Sequence, residues 1–333
     1  MNKKITVSAP GKLMLLGEHA VVYGKPCLVT AVDQRMKVKI ELTDEPIFYL
    51  DAPDVKIENY QRKISGLTLE EMPKGAKFVE VALKNFISQY PITGGVKITT
   101  SSEFSSQFGF GSSSASTVCV IFALSQLFNR ELSLKEIFDL SYKTVLDIQG
   151  KGSGFDIAAA IYGGTLHYIA GGKLIENISA PDLSLVVGYS GIKADTVTVV
   201  NRVLDLAKKY PEVIEEIYNQ ILFLVELAKS ALEKGDFESL GELMNINQGF
   251  LSSLGVSSKK LDLMINSAKD AGSYGAKLSG AGVGDCMIAI ASDKNRKSVE
   301  KAIKKAGGEI IQIKTNAQGV RIEGIGESVK VNV

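Results

Sequence analysis

The spacing of apolar and polar positions changes character along the chain, and the changes divide it. In the first third, short apolar runs alternate with glycine-rich turns. Thr6 to Ala9, Leu13 to Leu16 and Cys27 to Val32 read as strands, and Lys37 to Leu42 alternates apolar with polar residues, the period of a half-buried strand. Val96 to Thr100 repeats that alternation. Val79, Ala82, Leu83 and Phe86 recur at helical spacing and predict a helix after Gly75. From Ser113 to Phe128, small residues give way to a nearly all-apolar stretch, the composition of a buried helix opening at a serine-rich cap. Leu134 to Ile148 predicts a second helix. Tyr162 to Ala170 and Leu183 to Gly188 return to strand character, with Gly163-Gly164 as the break.

Beyond Thr196 the period turns helical and stays so. Val199–Lys209, Val213–Lys234, Phe237–Leu251 and Lys259–Ala271 predict four amphipathic helices. Strands follow at Cys286–Ala291 and Glu309–Lys314, separated by a Lys-rich helix near Ser298–Lys305. The expected architecture is α+β: a mixed N-terminal domain over residues 1–188, and a helix-rich C-terminal domain over 189–333 closed by a small antiparallel sheet.

Composition narrows the function. The 333 residues, 45% of them hydrophobic, supply a core large enough for two lobes. Lys and Arg (38) nearly balance Asp and Glu (37), so no global field recruits nucleic acid or a membrane surface, and neither partner is expected. Cys27, Cys119 and Cys286 lie far apart among apolar or small neighbours and are expected to be buried, reduced thiols. There is no apolar leader, and the longest apolar run, Val118 to Leu124, falls far short of the ~20 residues that span a bilayer. The chain therefore reads as cytoplasmic. Its long C-terminal helices leave room for a homodimer contact.

Four segments carry chemistry. Phe108-Gly109-Phe110-Gly111-Ser112-Ser113-Ser114-Ala115-Ser116 opens the apolar helix. Its glycines let backbone approach a ligand, and amides at a helix N-terminus suit phosphates. No Lys follows the second glycine, so it is not a Walker A loop; a plain glycine turn with a serine cap is the alternative. Lys277 to Cys286, with Gly280-Ala281-Gly282, would bring more amides to the same anion or be a tight connection. Gly150 to Asp156 puts a carboxylate after a flexible glycine run, as a reactive group or as an N-cap. Ala9-Pro10-Gly11-Lys12-Leu13 through Gly17-Glu18-His19-Ala20-Val21-Val22-Tyr23-Gly24 sets Lys12, Glu18 and His19 in apolar surroundings, where charged groups need partners or a ligand. The other histidine, His167, sits in a predicted strand and reads as structural.

In this order and spacing the four segments resemble the GHMP kinase superfamily, over nearly the whole chain. Pro10-Gly11-Lys12, Gly109 to Ala115 and Leu278 to Cys286 are similar to its three motifs. The resemblance implies a two-domain GHMP kinase fold, with a ribosomal-S5-like N-terminal domain and a ferredoxin-like, helix-rich C-terminal domain. It also implies ATP and Mg²⁺ as cofactors. Gly109, Phe110, Gly111, Ser112, Ser113 and Ser114, with Gly280, Ala281 and Gly282, would hold the nucleotide phosphates, and Ser113 would also reach the metal. Within the superfamily, Gly17 to Gly24, and Leu243 to Leu251 with Leu254-Gly255-Val256, resemble the mevalonate kinases. The implied reaction moves the γ-phosphoryl group of ATP to the 5-hydroxyl of mevalonate. Asp156 would be the base and Lys12 its cationic partner, and Glu18, His19, Tyr162 and Thr196 would line the acceptor site. The adenine pocket is expected between Asp51 and Val79.

The chain departs from that pattern in places. Mevalonate kinases commonly carry a metal-binding Glu eleven positions before the catalytic Asp, where Val145 stands here; Asp147, two residues on, turns to another face of the helix. Phe104 to Phe108 replaces the usual Pro and small-residue run. Gly150 to Asp156, Gln107-Phe108-Gly109 and Gly284-Asp285-Cys286 are more similar to phosphomevalonate kinases, whose acceptor phosphate would need extra cations such as Lys151, Lys193 or Arg35. Phosphomevalonate kinase is thus one alternative, and a non-catalytic GHMP-fold metabolite-binding protein another.

Overall fold

Two long strands organise the first half. In the computed structural model, which describes residues 3–325, the runs read as four short strands are β1 (Lys4–Leu16) and β2 (Pro26–Thr43). They pair antiparallel from Lys4↔Glu41 to Leu16↔Leu28, with irregularities at Pro10/Gly11 and between Met14 and Leu16. An irregularity of this kind kinks a strand and re-aims the side chains beside it, and the first stands immediately ahead of Lys12. Residues 1–2 and 326–333 of the expected domains lie outside the described part.

A hairpin follows, β3 (Ile47–Ala52) and β4 (Ile57–Lys63), then α1 (Lys77–Gln89) and β5 (Gly95–Ser102). The apolar stretch forms α2 (Ser112–Leu127), buried on nearly every side, followed by α3 (Leu134–Gln149), which starts at a Ser133/Glu136 capping box. Next come α4 (Phe155–Tyr162), β6 (Thr165–Ile169), β7 (Leu174–Ile178) and β8 (Leu185–Tyr189). The strand expected from Tyr162 therefore starts three residues later. Tyr162 ends a helix, and Gly163 (φ 67°) and Gly164 (φ 65°) turn the chain into β6.

The C-terminal half holds α5 (Thr196–Lys209), α6 (Pro211–Lys234), α7 (Phe237–Ser253), α8 (Lys259–Asp270), β9 (Gly275–Ser279), β10 (Cys286–Ile290), α9 (Asp293–Lys305), β11 (Glu309–Ile311) and β12 (Arg321–Ile325). One sheet runs β12-β1-β2-β5-β3-β4, with β6 and β7 attached through β2; the other runs β11-β8-β10-β9. The fold is thus α+β with two sheets. The sheets do not follow the expected division of the chain at residue 188: β8 pairs with β10 and β11, and β12 returns to β1.

One hydrophobic cluster joins the large sheet to α1–α4 and the inner face of α6; the second fills the space between the small sheet and α5–α9. The three cysteines are free and buried. His167 bridges Glu176 on β7 (3.1 Å) and Glu226 on α6 (3.0 Å), a structural tie between elements. Among the described residues, no helix is long and apolar enough to cross a membrane.

Candidate active site

Between β1 and the loop that follows β9, the N-terminus of α2 opens into a cavity of about 370 Å³. Gly111 precedes that helix in a left-handed conformation (φ 80°), and no side chain caps the helix. Its first amides are therefore free to meet an anion, as helix N-termini do. Gly109, Gly111, Ser112 and Ser113 line the cavity. Phe110 and Ser114 do not. The Phe110 ring is buried, and its carbonyl accepts from the Lys12 amide at 3.0 Å. The Ser114 hydroxyl donates to Asp156 Oδ2.

Lys12 and Asp156 meet across this opening. Lys12 leaves β1 just past its irregular pair and donates through Nζ to the Gly109 carbonyl at 2.7 Å, with the Phe155 ring 5.2 Å away. Burial pulls its pKa below the usual lysine value, and the carboxylates of Asp156 and Asp285 oppose that pull. Asp156 lies in the first turn of α4, and its Oδ1 accepts from the Ile157 amide at 3.1 Å. A methyl group placed on Gly111 would lie 3.5 Å from both Asp156 Cβ and Lys12 Cε, so cation and carboxylate flank one glycine.

The residues expected to line an acceptor site divide. His19 and Thr196 line the cavity, with Glu18 at its wall. His19 takes a positive φ of 62°, and its Nε2 lies 2.9 Å from the Ala281 carbonyl, which requires the proton on that nitrogen. Burial lowers its pKa, so the ring is held neutral. Tyr162 is not brought to the cavity. It stands at the far end of α4 from Asp156, facing Lys135 and Asp139 of α3. Gly280 and Ala281 line the cavity, whereas Gly282 packs against the Val256 carbonyl behind the loop. The segment from Asp51 to Val79 contributes none of the lining residues.

Further residues complete the lining of the cavity. Asp285 takes φ 54° and anchors the loop ahead of α5: its Oδ1 accepts from the Ala194 amide at 3.0 Å and lies 3.4 Å from Lys193 Nζ. Lys151 lines the mouth and donates to Asn201 of α5. Arg35, by contrast, is buried beneath β12, bonded to Ser8 and to the Gln318 and Gly319 carbonyls. Val145 and Gln149 present one face of α3 to the cavity. Asp147 turns away, bonded to Lys143 (2.5 Å) and Asn85 (2.9 Å). Among the described residues, no cluster of three or more His, Cys, Asp or Glu side chains could hold a metal by itself.

The chain as a whole has counterparts among known proteins. Residues 77–164 match the family model of the GHMP kinases N terminal domain, and residues 228–309 that of the GHMP kinases C terminal domain. A mevalonate kinase of Pyrococcus abyssi is 38% identical over 98% of this chain and 100% of its own. The crystal structure of Methanococcus jannaschii mevalonate kinase superposes with a TM-score of 0.80 at 28% identity, over 94% of this chain and 98% of that one. A structure of L. major mevalonate kinase in complex with R-mevalonate gives 0.77 at 26%, over 94% and 96%. With both family domains present, and a relative this similar from end to end, the chain belongs to the GHMP kinases, on their mevalonate kinase branch.

Proposed function

We propose that the protein transfers the γ-phosphoryl group of ATP to the 5-hydroxyl of mevalonate, in the cavity at the N-terminus of α2. The observation that carries the reading is the convergence of Lys12 and Asp156 beside the uncapped N-terminus of α2. The acceptor is supported by mevalonate kinase relatives that extend over nearly the whole chain.

The geometry supports a division of roles. The free amides of Gly111 to Ser113 and the loop at Gly280-Ala281 cradle the phosphates. Asp156, oriented by the Ser114 hydroxyl and the Ile157 amide, takes the proton from the acceptor hydroxyl as the oxygen attacks phosphorus. The bond from phosphorus to the ADP oxygen breaks, and the phosphoryl group passes in line to the acceptor. Lys12, fixed on the Gly109 carbonyl, offsets the negative charge that grows on the transferred oxygens and favours the alkoxide. His19 and Thr196 then form the wall against which the acceptor lies.

The residues present fit Mg²⁺ of the kind that takes most of its ligands from phosphates and water. The Ser113 hydroxyl and the Asp156 carboxylate are hard oxygen donors at the cavity, with the Gln149 amide nearby and only aliphatic carbon at Val145. Bound there, the ion would neutralise charge on the β- and γ-phosphates.

An ADP-release assay with ATP and Mg²⁺, offering mevalonate, phosphomevalonate, homoserine or galactose, tests the reading. Turnover with mevalonate is expected. Turnover with phosphomevalonate alone would replace the acceptor, and no turnover with any of them would favour a binding protein.

A further inference from the structure

Glu18 is expected to touch the acceptor, yet both of its carboxylate oxygens are already engaged. Oε1 is ion-paired with Lys277 Nζ, and Oε2 accepts from Asn247 Nδ2 at 3.1 Å. All three side chains are buried, with Lys277 and Asn247 both at 0% exposure. They come from three elements: the turn after β1, the middle of α7, and β9. Lys277 also donates to the Leu278 carbonyl at 2.6 Å.

Stability alone does not account for such a pair. A buried ion pair is commonly matched or bettered by apolar side chains of the same volume. What the pair does fix is position. The next residue, His19, holds a positive φ that a side-chain-bearing residue keeps only when its surroundings impose it. Two ties impose it here, and both end on the same short stretch of chain: Glu18 on Lys277, and His19 on the Ala281 carbonyl. Ser279, between those anchors, adds a third link by bonding the Met14 amide (3.1 Å) and carbonyl (2.9 Å) of β1.

We propose that Lys277 is a positioning residue for the acceptor: acting through Glu18, it clamps the Gly17–Gly24 turn onto β9 and so presents His19 to the cavity. The inference rests on reading the cavity as the kinase site. Lys277 touches no substrate, and its effect reaches the acceptor only through Glu18 and His19.

Two variants separate positioning from stability. Lys277→Met leaves the Glu18 carboxylate buried without its cation and is expected to lower Tm. Glu18→Met/Lys277→Met replaces the pair with apolar side chains of similar volume and is expected to restore Tm. In the double variant the KM for mevalonate should stay raised by about 10- to 100-fold, the scale of a displaced positioning contact, with the KM for ATP unchanged. The His19 Hε1 resonance, one of only two from histidine, should titrate closer to an ordinary imidazole than in the wild type. Recovery of the wild-type mevalonate KM together with Tm, or an unaltered His19 titration, would overturn the proposal. If the wild-type protein does not phosphorylate mevalonate, the proposed function fails, and the His19 titration alone still decides the role of Lys277.

Discussion

Gly111 offers the sharpest separation of chemistry from folding. It caps α2 at φ 80°, and Gly111→Ala puts a methyl group between Lys12 and Asp156. The methyl would sit 3.5 Å from Asp156 Cβ and 3.5 Å from Lys12 Cε, ordinary contact distances, so nothing has to move to admit it. The folding cost is then the left-handed backbone alone, about 1–2 kcal/mol, or a Tm fall of about 2–4 °C per kcal/mol for a chain of this order of size. Catalysis loses more. In the proposed reaction the acceptor hydroxyl must come within about 2.6–3.2 Å of an Asp156 carboxylate oxygen to give up its proton, and a methyl 3.5 Å from that side chain's Cβ crowds the hydroxyl's approach. Displacing it by about 1 Å is worth roughly 100-fold in rate. Coupled ADP release and thermal unfolding on the same preparation measure both effects. Gly109→Ala is the control: its methyl would fall 2.6 Å from Asp285 Oδ2 and 2.9 Å from Asp285 Cγ, so a buried carboxylate must shift and stability should suffer more. A Gly111→Ala enzyme with near wild-type kcat/KM would refute the placement of the reacting groups across this glycine. So would one as unstable as Gly109→Ala.

Further outcomes follow from the same geometry. Asp156→Asn should lower kcat by about 10²–10⁴ with nucleotide affinity, measured by titration, nearly unchanged; a modest loss would remove Asp156 from the base role. Because burial lowers the pKa of Lys12, kcat/KM should fall on the alkaline side at a pH below the ordinary lysine value of 10.5, and the residual activity of Lys12→Met should lack that limb. Stability moves the other way: between the two pKa values the unfolded chain binds more protons, so the contribution of Lys12 to folding rises as pH climbs through its folded-state pKa. Urea unfolding of wild type and Lys12→Met across that range checks the sign. Gln248→Ala removes the acceptor for the buried Leu278 amide, which lies 3.0 Å from Gln248 Oε1. A loss of about 1–3 kcal/mol is expected in urea unfolding.

Elements with a strong, uninterrupted period were legible from residue order. The apolar run of α2, the capped α3 and the four C-terminal helices stand where spacing places them. Others were hidden for identifiable reasons. In the β3–β4 hairpin, β3 buries Phe48, Leu50 and Ala52, but Ile47 and Tyr49 on its other face mask the alternation, and β4 is mostly exposed. β9 is short and fully buried, and its Lys277 looks like a surface charge until Glu18 is brought opposite it. The Leu243–Leu251 run, similar to the mevalonate kinases, has a visible structural task. Asn245 bonds the Tyr274 carbonyl and the Ala276 amide, and Gln248 the Leu278 amide, so α7 saturates one edge of β9. Asp285 lies within the Leu278–Cys286 segment, but its tie to the loop ahead of α5 emerges only in the tertiary structure. Lys12 and Asp156 could be paired only by resemblance; their meeting across Gly111 is a product of tertiary structure.

The return of β12 to β1 bears on how the chain acquires this shape. Ile5 lies opposite Ile325, and the edge of the large sheet beside β1 is covered by a strand made after every other described element. During synthesis that edge stays unpaired while both sheets' remaining strands emerge, and an open strand edge is a template for pairing with another chain. β8 adds a delay of its own, because its partners β10 and β11 follow four helices later or more. Such long-range closures slow folding. The nascent protein therefore gains α2 early and the completed sheet beneath Lys12 only when β12 has docked.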